Sequence, residues 1–124
     1  MFFTDLRNFL LTHESLKTLI GTRLYPGWIP ENAVMPSVAC FEVTGVSHHD
    51  IDVAYPRYQF SIFSPRYIEA KEIANEIKEI LQRFKGKMGN TRVIQGVYQN
   101  EYDNYESDTK LYHIAIDFKF IYWE

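Results

Sequence analysis

The stretch "LYHIAIDFKFIYW" at 111–123 constrains the fold more than any other part of the sequence. Large apolar side chains occupy alternate positions, at Tyr112, Ile114, Ile116, Phe118, Phe120 and Tyr122. The intervening positions include His113, Asp117 and Lys119, which are polar. A period of two puts the two sets on opposite faces of a strand. The pattern therefore predicts a sheet with one face covered by helices.

Three further strands are expected at 37–46, 57–63 and 92–99. The first is rich in β-branched residues, and the second alternates between apolar and polar side chains. Together with the strand at 111–123 they predict a four-stranded, mainly antiparallel sheet.

The most regular helix signal lies at 64–86. Ser64 is the expected N-cap, Pro65 occupies the first helical position, and Gly86 ends the helix. An apolar stripe suited to packing on the sheet contains Ala70, Ile73, Ala74, Ile77, Leu81 and Phe84.

Two short helices are expected before the first strand. The first covers 5–13, with Thr4 as its N-cap, and the second covers 14–20, with Gly21 closing it. The fold class is therefore α+β, in the order α-β-β-α-β-β, with the helices packed on one face of the sheet. Residues 1–124 are expected to form a single domain.

Composition excludes several classes of function. The net charge is −3, and without a basic stripe the chain is not expected to grip nucleic acid. Cys40 is the only cysteine, so neither an intrachain disulfide nor a thiolate zinc site is expected. No signal peptide and no membrane-spanning apolar run is recognisable.

The sequence contains only weak signals for metal-binding or catalytic residues. His48, His49, Asp50 and Asp52 have metal-ligand side chains, but adjacent histidines of a strand point to opposite faces and no second motif completes a site. Cys40 with His48 or His113 lacks an oxyanion-hole motif, and a surface pairing of His113 with Asp117 is the expected alternative. The sequence has no phosphate-binding glycine motif. We therefore expect no enzyme, no cofactor and no catalytic or metal-binding residue.

The segment "GTRLYPGWIPENAVMP" at 21–36, called the arm below, breaks the regular patterns around it. Connections in compact domains are usually about 4–6 residues long, so an arm of this length suggests a use. Tyr25 and Trp28 fit no regular period. They are expected either to fold back over the exposed face of the sheet, to hold a ligand or to reach another subunit.

The acidic segment 100–109, "NEYDNYESDT", lies between the last two predicted strands. Its carboxylates are Glu101, Asp103, Glu106 and Asp108, and two tyrosines, Tyr102 and Tyr105, lie among them. Repulsion among the carboxylates predicts a mobile hairpin extension that becomes ordered only on assembly. In that case the carboxylates face a channel or a basic patch of a partner, and the tyrosines dock on the next subunit. The alternative is a polar loop with its tyrosines folded onto its own strands.

Several of these features resemble the tail-completion or tail-terminator proteins of long-tailed bacteriophages. In their pattern a short helix ends at a glycine, an Arg-x-Tyr-Pro follows, and a second proline leads into the first strand. The matching positions are Gly21, Arg23, Tyr25, Pro26 and Pro36. The segment "EAKEIANEIKEIL" is similar to the helix of the family, and "YESDTKLYHIAIDF" is similar to its final hairpin.

The resemblance implies a structural virion protein that is made in the host bacterial cytoplasm. Such a subunit forms a ring, generally of six copies, on the end of the tail tube. The ring stops polymerisation of the tube protein and joins the tail to the head connector. DNA passes through the channel without specific binding, and an acidic chain suits such a channel. The resemblance also favours contact of the arm with a neighbouring subunit.

Two alternatives remain open at the level of the sequence. One is another neck or tail adaptor protein of the same fold, which would dock elsewhere. The other is a small soluble enzyme or ligand-binding domain that uses the acidic hairpin with His48 and His49.

Overall fold

The computed structural model describes residues 1–48 and 50–124, which contain three helices and one sheet. The helices are α1 Phe2–Leu10, α2 Glu14–Ile20 and α3 Tyr67–Leu81. The strands are β1 Leu24–Pro26, β2 Ser37–Thr44, β3 Val53–Ala54, β4 Arg57–Ser64, β5 Gly86–Met88, β6 Thr91–Glu106 and β7 Leu111–Trp123.

The sheet has the strand order β1-β2-β4-β7-β6-β5, and β3 pairs with β7 outside this order. Every pairing is antiparallel except that of β1 with β2. The predicted α+β class and mainly antiparallel sheet are confirmed. The prediction of four strands in the order α-β-β-α-β-β is wrong, because the sheet of the described residues has seven strands, and β1, β3 and β5 are inserted into that order. The two helices expected before the first strand are present. The missed strands β1, β3 and β5 have two or three residues each, too few to show a period of two.

The side chains of the central strand β7 alternate between the two faces as its sequence predicts, although Ala115 and Asp117 on the second face are buried as well. Ile114, Ile116, Phe118 and Phe120 are fully buried in the hydrophobic core. They share the core with helix residues, among them Leu6, Leu10, Leu16, Ile20, Ile73 and Ile77. The helices therefore cover one face of the sheet, called the inner face below, and the opposite face is called the outer face.

Helix α3 confirms the predicted stripe from Ala70 to Leu81 but not the predicted ends; Phe84, the last residue of that stripe, lies beyond the helix and is partly buried. Five residues of the stripe have no exposed surface: Ala70, Ile73, Ala74, Ile77 and Leu81. Ser64 ends β4 rather than capping the helix. Its hydroxyl accepts a hydrogen bond from the backbone N–H of Arg66 (3.1 Å) and donates one to Glu69 (2.7 Å). Gly86 lies in β5, five residues beyond the helix.

The first helix begins before residue 5, the start that the expected N-cap Thr4 predicted. Thr4 lies inside α1, which starts at Phe2. Phe2 is buried and stacks on Tyr122 with ring centroids 4.4 Å apart, so burial of an aromatic ring outweighs the local capping preference. Helix α2 has the predicted bounds. None of the helices in the described part of the chain is long and apolar enough to span a membrane.

Candidate assembly interface

The arm holds Trp28 out into solvent. Strand β1 ties the start of the arm to β2, and the backbone N–H of Gly27 donates to the carbonyl of Cys40 (2.9 Å). The last residue of the arm is held as well, because Arg23 Nε donates a hydrogen bond of 2.6 Å to the carbonyl of Pro36. Between these anchors the Trp28 side chain remains 82% exposed. The expectation that Trp28 folds back over its own sheet is therefore wrong.

A groove of about 320 Å³ lies on the outer face, between the arm and the tip of the β6–β7 hairpin. Its lining is largely apolar and includes Trp28, Ile29, Met35, Phe63, Leu111 and Glu106. Two segments that the sequence separates by about seventy residues thus border one surface. Tyr25 is half-buried, opposite Ala39 in the β1–β2 ladder.

The acidic segment is part of β6 and not an unpaired extension. The β6–β7 ladder continues from Glu101 opposite Ile116 to Glu106 opposite Leu111. The predicted hairpin is therefore present, because most of this segment forms a strand, and its ordering on assembly stays a prediction. Only 107–110 make the turn.

Strand alternation divides the acidic segment between the two faces. Glu101, Asp103 and Tyr105 pair with inner-face residues of β7, whereas Tyr102 pairs with Ala115 and shares the outer face with Glu106. The sequence suggested that the carboxylates and the tyrosines form two separate surfaces. They do not. Each face receives both kinds of side chain.

Two of the carboxylates bind lysines of α3. Glu101 forms ion pairs with Lys71 and with Lys78, the second at 2.8 Å. Asp103 lies 3.1 Å from Lys71 Nζ and accepts a hydrogen bond of 2.6 Å from the hydroxyl of Tyr67. The Glu101 side chain is only 9% exposed. These contacts attach the hairpin to the helix. Glu101 is thereby withdrawn from solvent, whereas the paired Asp103 side chain remains 38% exposed.

The pKa shifts agree with this attachment. Burial alone would raise the pKa of Glu101, but the contacts from Lys71 and Lys78 outweigh it and hold the pKa below its ordinary value. The hydrogen bond from Tyr67 likewise lowers the pKa of Asp103. Burial opposes the charge on Lys71, yet its two carboxylate partners raise its pKa.

We expect Glu101→Gln to lower the free energy of unfolding at pH 7 by about 1–2 kcal/mol, because two lysines lose their shared carboxylate. The folded pKa lies below the ordinary 4.5. The stabilisation is therefore present above that value and is lost as the pH falls through the folded pKa. Urea unfolding at pH 7 and at pH 3 measures both effects. The difference between wild type and variant should shrink at pH 3, and the exposed Glu72→Gln serves as the control; an equal difference at both pH values would contradict the assignment.

The tyrosines differ in their surroundings. Tyr105 packs on Tyr112 of its own hairpin with ring centroids 4.8 Å apart, as the polar-loop alternative expects. Tyr102 lies on the outer face, and both tyrosines remain 49% exposed. Asp108 is exposed in the turn.

The remaining candidates are structural. Cys40 belongs to the core, and burial raises the pKa of its thiol, which disfavours the nucleophilic thiolate. The predicted pairing of His113 with Asp117 is wrong. His113 stacks on Phe63 (4.4 Å), and its closest carboxylate is Glu106 at 3.9 Å. Burial lowers the pKa of His113, while Glu106 acts in the opposite direction.

Asp117 is a buried carboxylate of the outer face. It accepts hydrogen bonds from Gln59 (2.9 Å) and Arg57 (3.3 Å), both on the neighbouring strand β4. Sequence reasoning missed these contacts, because only the register of β4 against β7 brings the three residues together.

The metal-ligand side chains of the segment 48–52 form no metal centre within the described residues. His48 Nδ1 accepts a hydrogen bond from the backbone N–H of Asp50 (3.2 Å), and His49 lies outside the described residues. Within 1–48 and 50–124, no group of three or more His, Cys, Asp or Glu side chains is arranged to hold a metal ion.

Comparison with known proteins agrees with the sequence pattern and the fold. The family model described as "Tail completion protein gp17" matches residues 4–123. No curated protein sequence matches the chain. Among solved structures, a chain of the virion of a native gene transfer agent particle superposes with a TM-score of 0.75 at 16% identity. The match covers 96% of this chain and 95% of that one, so the two share a fold.

Proposed function

Since the chain belongs to the tail completion protein gp17 family, we propose that it forms a ring on the end of the tail tube, with six copies as the family resemblance implies. The family identifies the chain as a structural phage tail protein of the virion. In the proposed role the ring stops polymerisation of the tube protein and joins the tail to the head connector. The whole chain, 1–124, acts as one domain in this role.

The observation that carries the proposal is the exposed Trp28 beside an apolar groove. A tryptophan that is 82% exposed contributes nothing to the core of its own subunit. Aromatic side chains next to apolar pockets are enriched in protein interfaces and often supply much of the binding energy. An assembling subunit explains this arrangement better than a monomer does.

The proposed contact residues fall into a direct and an indirect group. Tyr25, Trp28, Tyr102, Tyr105, Glu106 and Asp108 are the proposed direct contacts with a neighbouring subunit, the tail tube protein or the head connector. Glu101 and Asp103 act indirectly, because they attach the hairpin to α3. The net charge of −3 suits a channel that DNA crosses without binding.

Electron microscopy of a lysate from the phage with this gene deleted tests the proposal. We expect tubes of uncontrolled length and heads without tails, and we expect wild-type protein supplied in trans to restore both. Tails of normal length that fail to join heads would instead identify another neck or tail adaptor. Normal infectious particles would contradict any role in the virion, and a soluble enzyme or ligand-binding domain would then be the better explanation.

A further inference from the structure

The end of the sheet at β5 carries a basic surface. Lys87 lies directly opposite Arg92 in the β5–β6 ladder, and both side chains are exposed. Like charges at such positions destabilise a strand pair. Neither residue, nor the adjacent Lys85, forms an ion pair with a carboxylate in the described residues. These three cations therefore lack the partner that would offset their repulsion within the chain.

An exposed tryptophan accompanies the cations. Trp123 is 48% exposed and lines a cavity of about 400 Å³ together with Lys85 and Arg92. Asp52 lies on the opposite side of β7, because β3 and β6 pair with β7 from opposite sides. Glu124 directly follows Trp123 in the chain and, within the described part of the chain, forms no ion pair with these cations. We call the surface formed by Lys85, Lys87, Arg92 and Trp123 the basic end.

The other end of the same hairpin carries two carboxylates and one exposed cation, Lys110, so its net charge is opposite to that of the basic end. The apolar groove lies there, with Glu106 in its lining and Asp108 in the adjoining turn. We call this surface the acidic end. Between Arg92 and Glu106, β6 runs about 45 Å along its length at roughly 3.3 Å per residue. The two ends of one subunit are therefore too far apart to meet each other.

We propose that the basic end of one copy of this chain docks on the acidic end of the next copy. In this contact Trp123 enters the apolar groove beside Trp28, and Lys87 and Arg92 pair with Glu106 and Asp108. The two surfaces match in both apolar character and charge. A contact between two different surfaces repeats from copy to copy and closes into a ring when the rotation permits. The inference rests on the proposed ring and names the surfaces that build it.

A charge exchange tests the contact. The variant Lys87→Glu/Arg92→Glu has two acidic ends, and the variant Glu106→Lys/Asp108→Lys has two basic ends. We expect each variant alone to co-sediment with purified tail tubes at least tenfold less than wild type. An equal mixture should recover to within threefold of wild type, because an alternating ring of even number restores every contact. Co-sedimentation of either variant alone at the wild-type level would overturn the inference.

Cysteine crosslinking provides a second measurement that needs no tail tube. Under oxidation at high protein concentration, Lys87→Cys/Asp108→Cys should give a ladder of covalent multimers, because each copy links to the next. The single variants Lys87→Cys and Asp108→Cys are the matched controls and should stay monomeric; the native Cys40 is buried in all three. Absence of the ladder, or dimers of a single variant, would overturn the contact.

The outcomes separate the inference from the proposed function. If wild type terminates tubes while the charge variants do so equally well, the contact is wrong and the function stands. If the crosslinked ladder forms but wild type does not act on tubes, the contact stands and the function is wrong. Double-stranded DNA that binds wild type and not Lys87→Glu/Arg92→Glu, with unchanged ring formation, would reassign the basic end to nucleic acid and overturn the inference.

Discussion

Replacing Ile77 by aspartate is expected to unfold the subunit. Ile77 lies in the middle of α3 and has no exposed surface. The change removes an aliphatic side chain from the core and buries a carboxylate that has no cation beside it. Such a substitution costs several kcal/mol, about 4 or more, out of the roughly 5–15 that stabilise a domain of this size. Circular dichroism and the yield of soluble protein measure the effect.

Ile68→Asp is the matched control for this experiment. Ile68 belongs to the same helix but is 67% exposed, so the same chemical change there is expected to alter the free energy of unfolding by less than about 0.5–1 kcal/mol. A folded Ile77→Asp variant with the thermal midpoint of Ile68→Asp would mean that the inner face of α3 is assigned incorrectly.

Trp28→Ala is expected to abolish most tail completion while leaving the subunit stable. The indole is 82% exposed in the single chain, so its removal takes little apolar surface out of the core and should shift the thermal midpoint by only a few degrees. At an interface the same truncation typically costs about 2–4 kcal/mol, which corresponds to a loss of at least tenfold in binding. Complementation of the gene deletion measures function, and calorimetry of the purified subunit measures stability.

Trp28→Phe is the control, because it keeps an aromatic ring of smaller area at the same position. It should retain much of the activity that Trp28→Ala loses. If stability and tail completion fell together in Trp28→Ala, the tryptophan would be part of the subunit's own fold and the arm would not be a contact surface.

Much of the fold was predictable because its signals are local. In α3, Ile73, Ile77 and Leu81 recur at the helical period, and the structure buries all three. In β7, apolar residues such as Ile114 and Ile116 occupy alternate positions, and this alternation is enough to predict which side chains lie on the inner face. These patterns depend on the geometry of a single element and require no knowledge of its neighbours.

The candidate interface was predictable only in part. The irregular composition of the arm and the tyrosines among carboxylates identified the right segments. The sequence did not show that the arm and the hairpin border one groove, since no local pattern encodes the distance between Trp28 and Glu106. The sequence places Lys85 and Lys87 near a helix end, but it does not show that they share a surface with Arg92 and Trp123. Lys87 and Arg92 are unremarkable in the sequence, and the β5–β6 ladder alone sets them opposite each other.

The sequence by itself determined the α+β class, the inner face of β7 and the buried stripe of α3, because periodic burial follows from the geometry of one helix or strand. Only the tertiary structure decided the use of the carboxylates. Glu101 lies thirty residues from Lys71 in the chain, and the packing of α3 on β6 turns an apparently repulsive acidic run into a neutralised contact. A charge's partner depends on which elements meet in space, and that information is distributed over the whole fold.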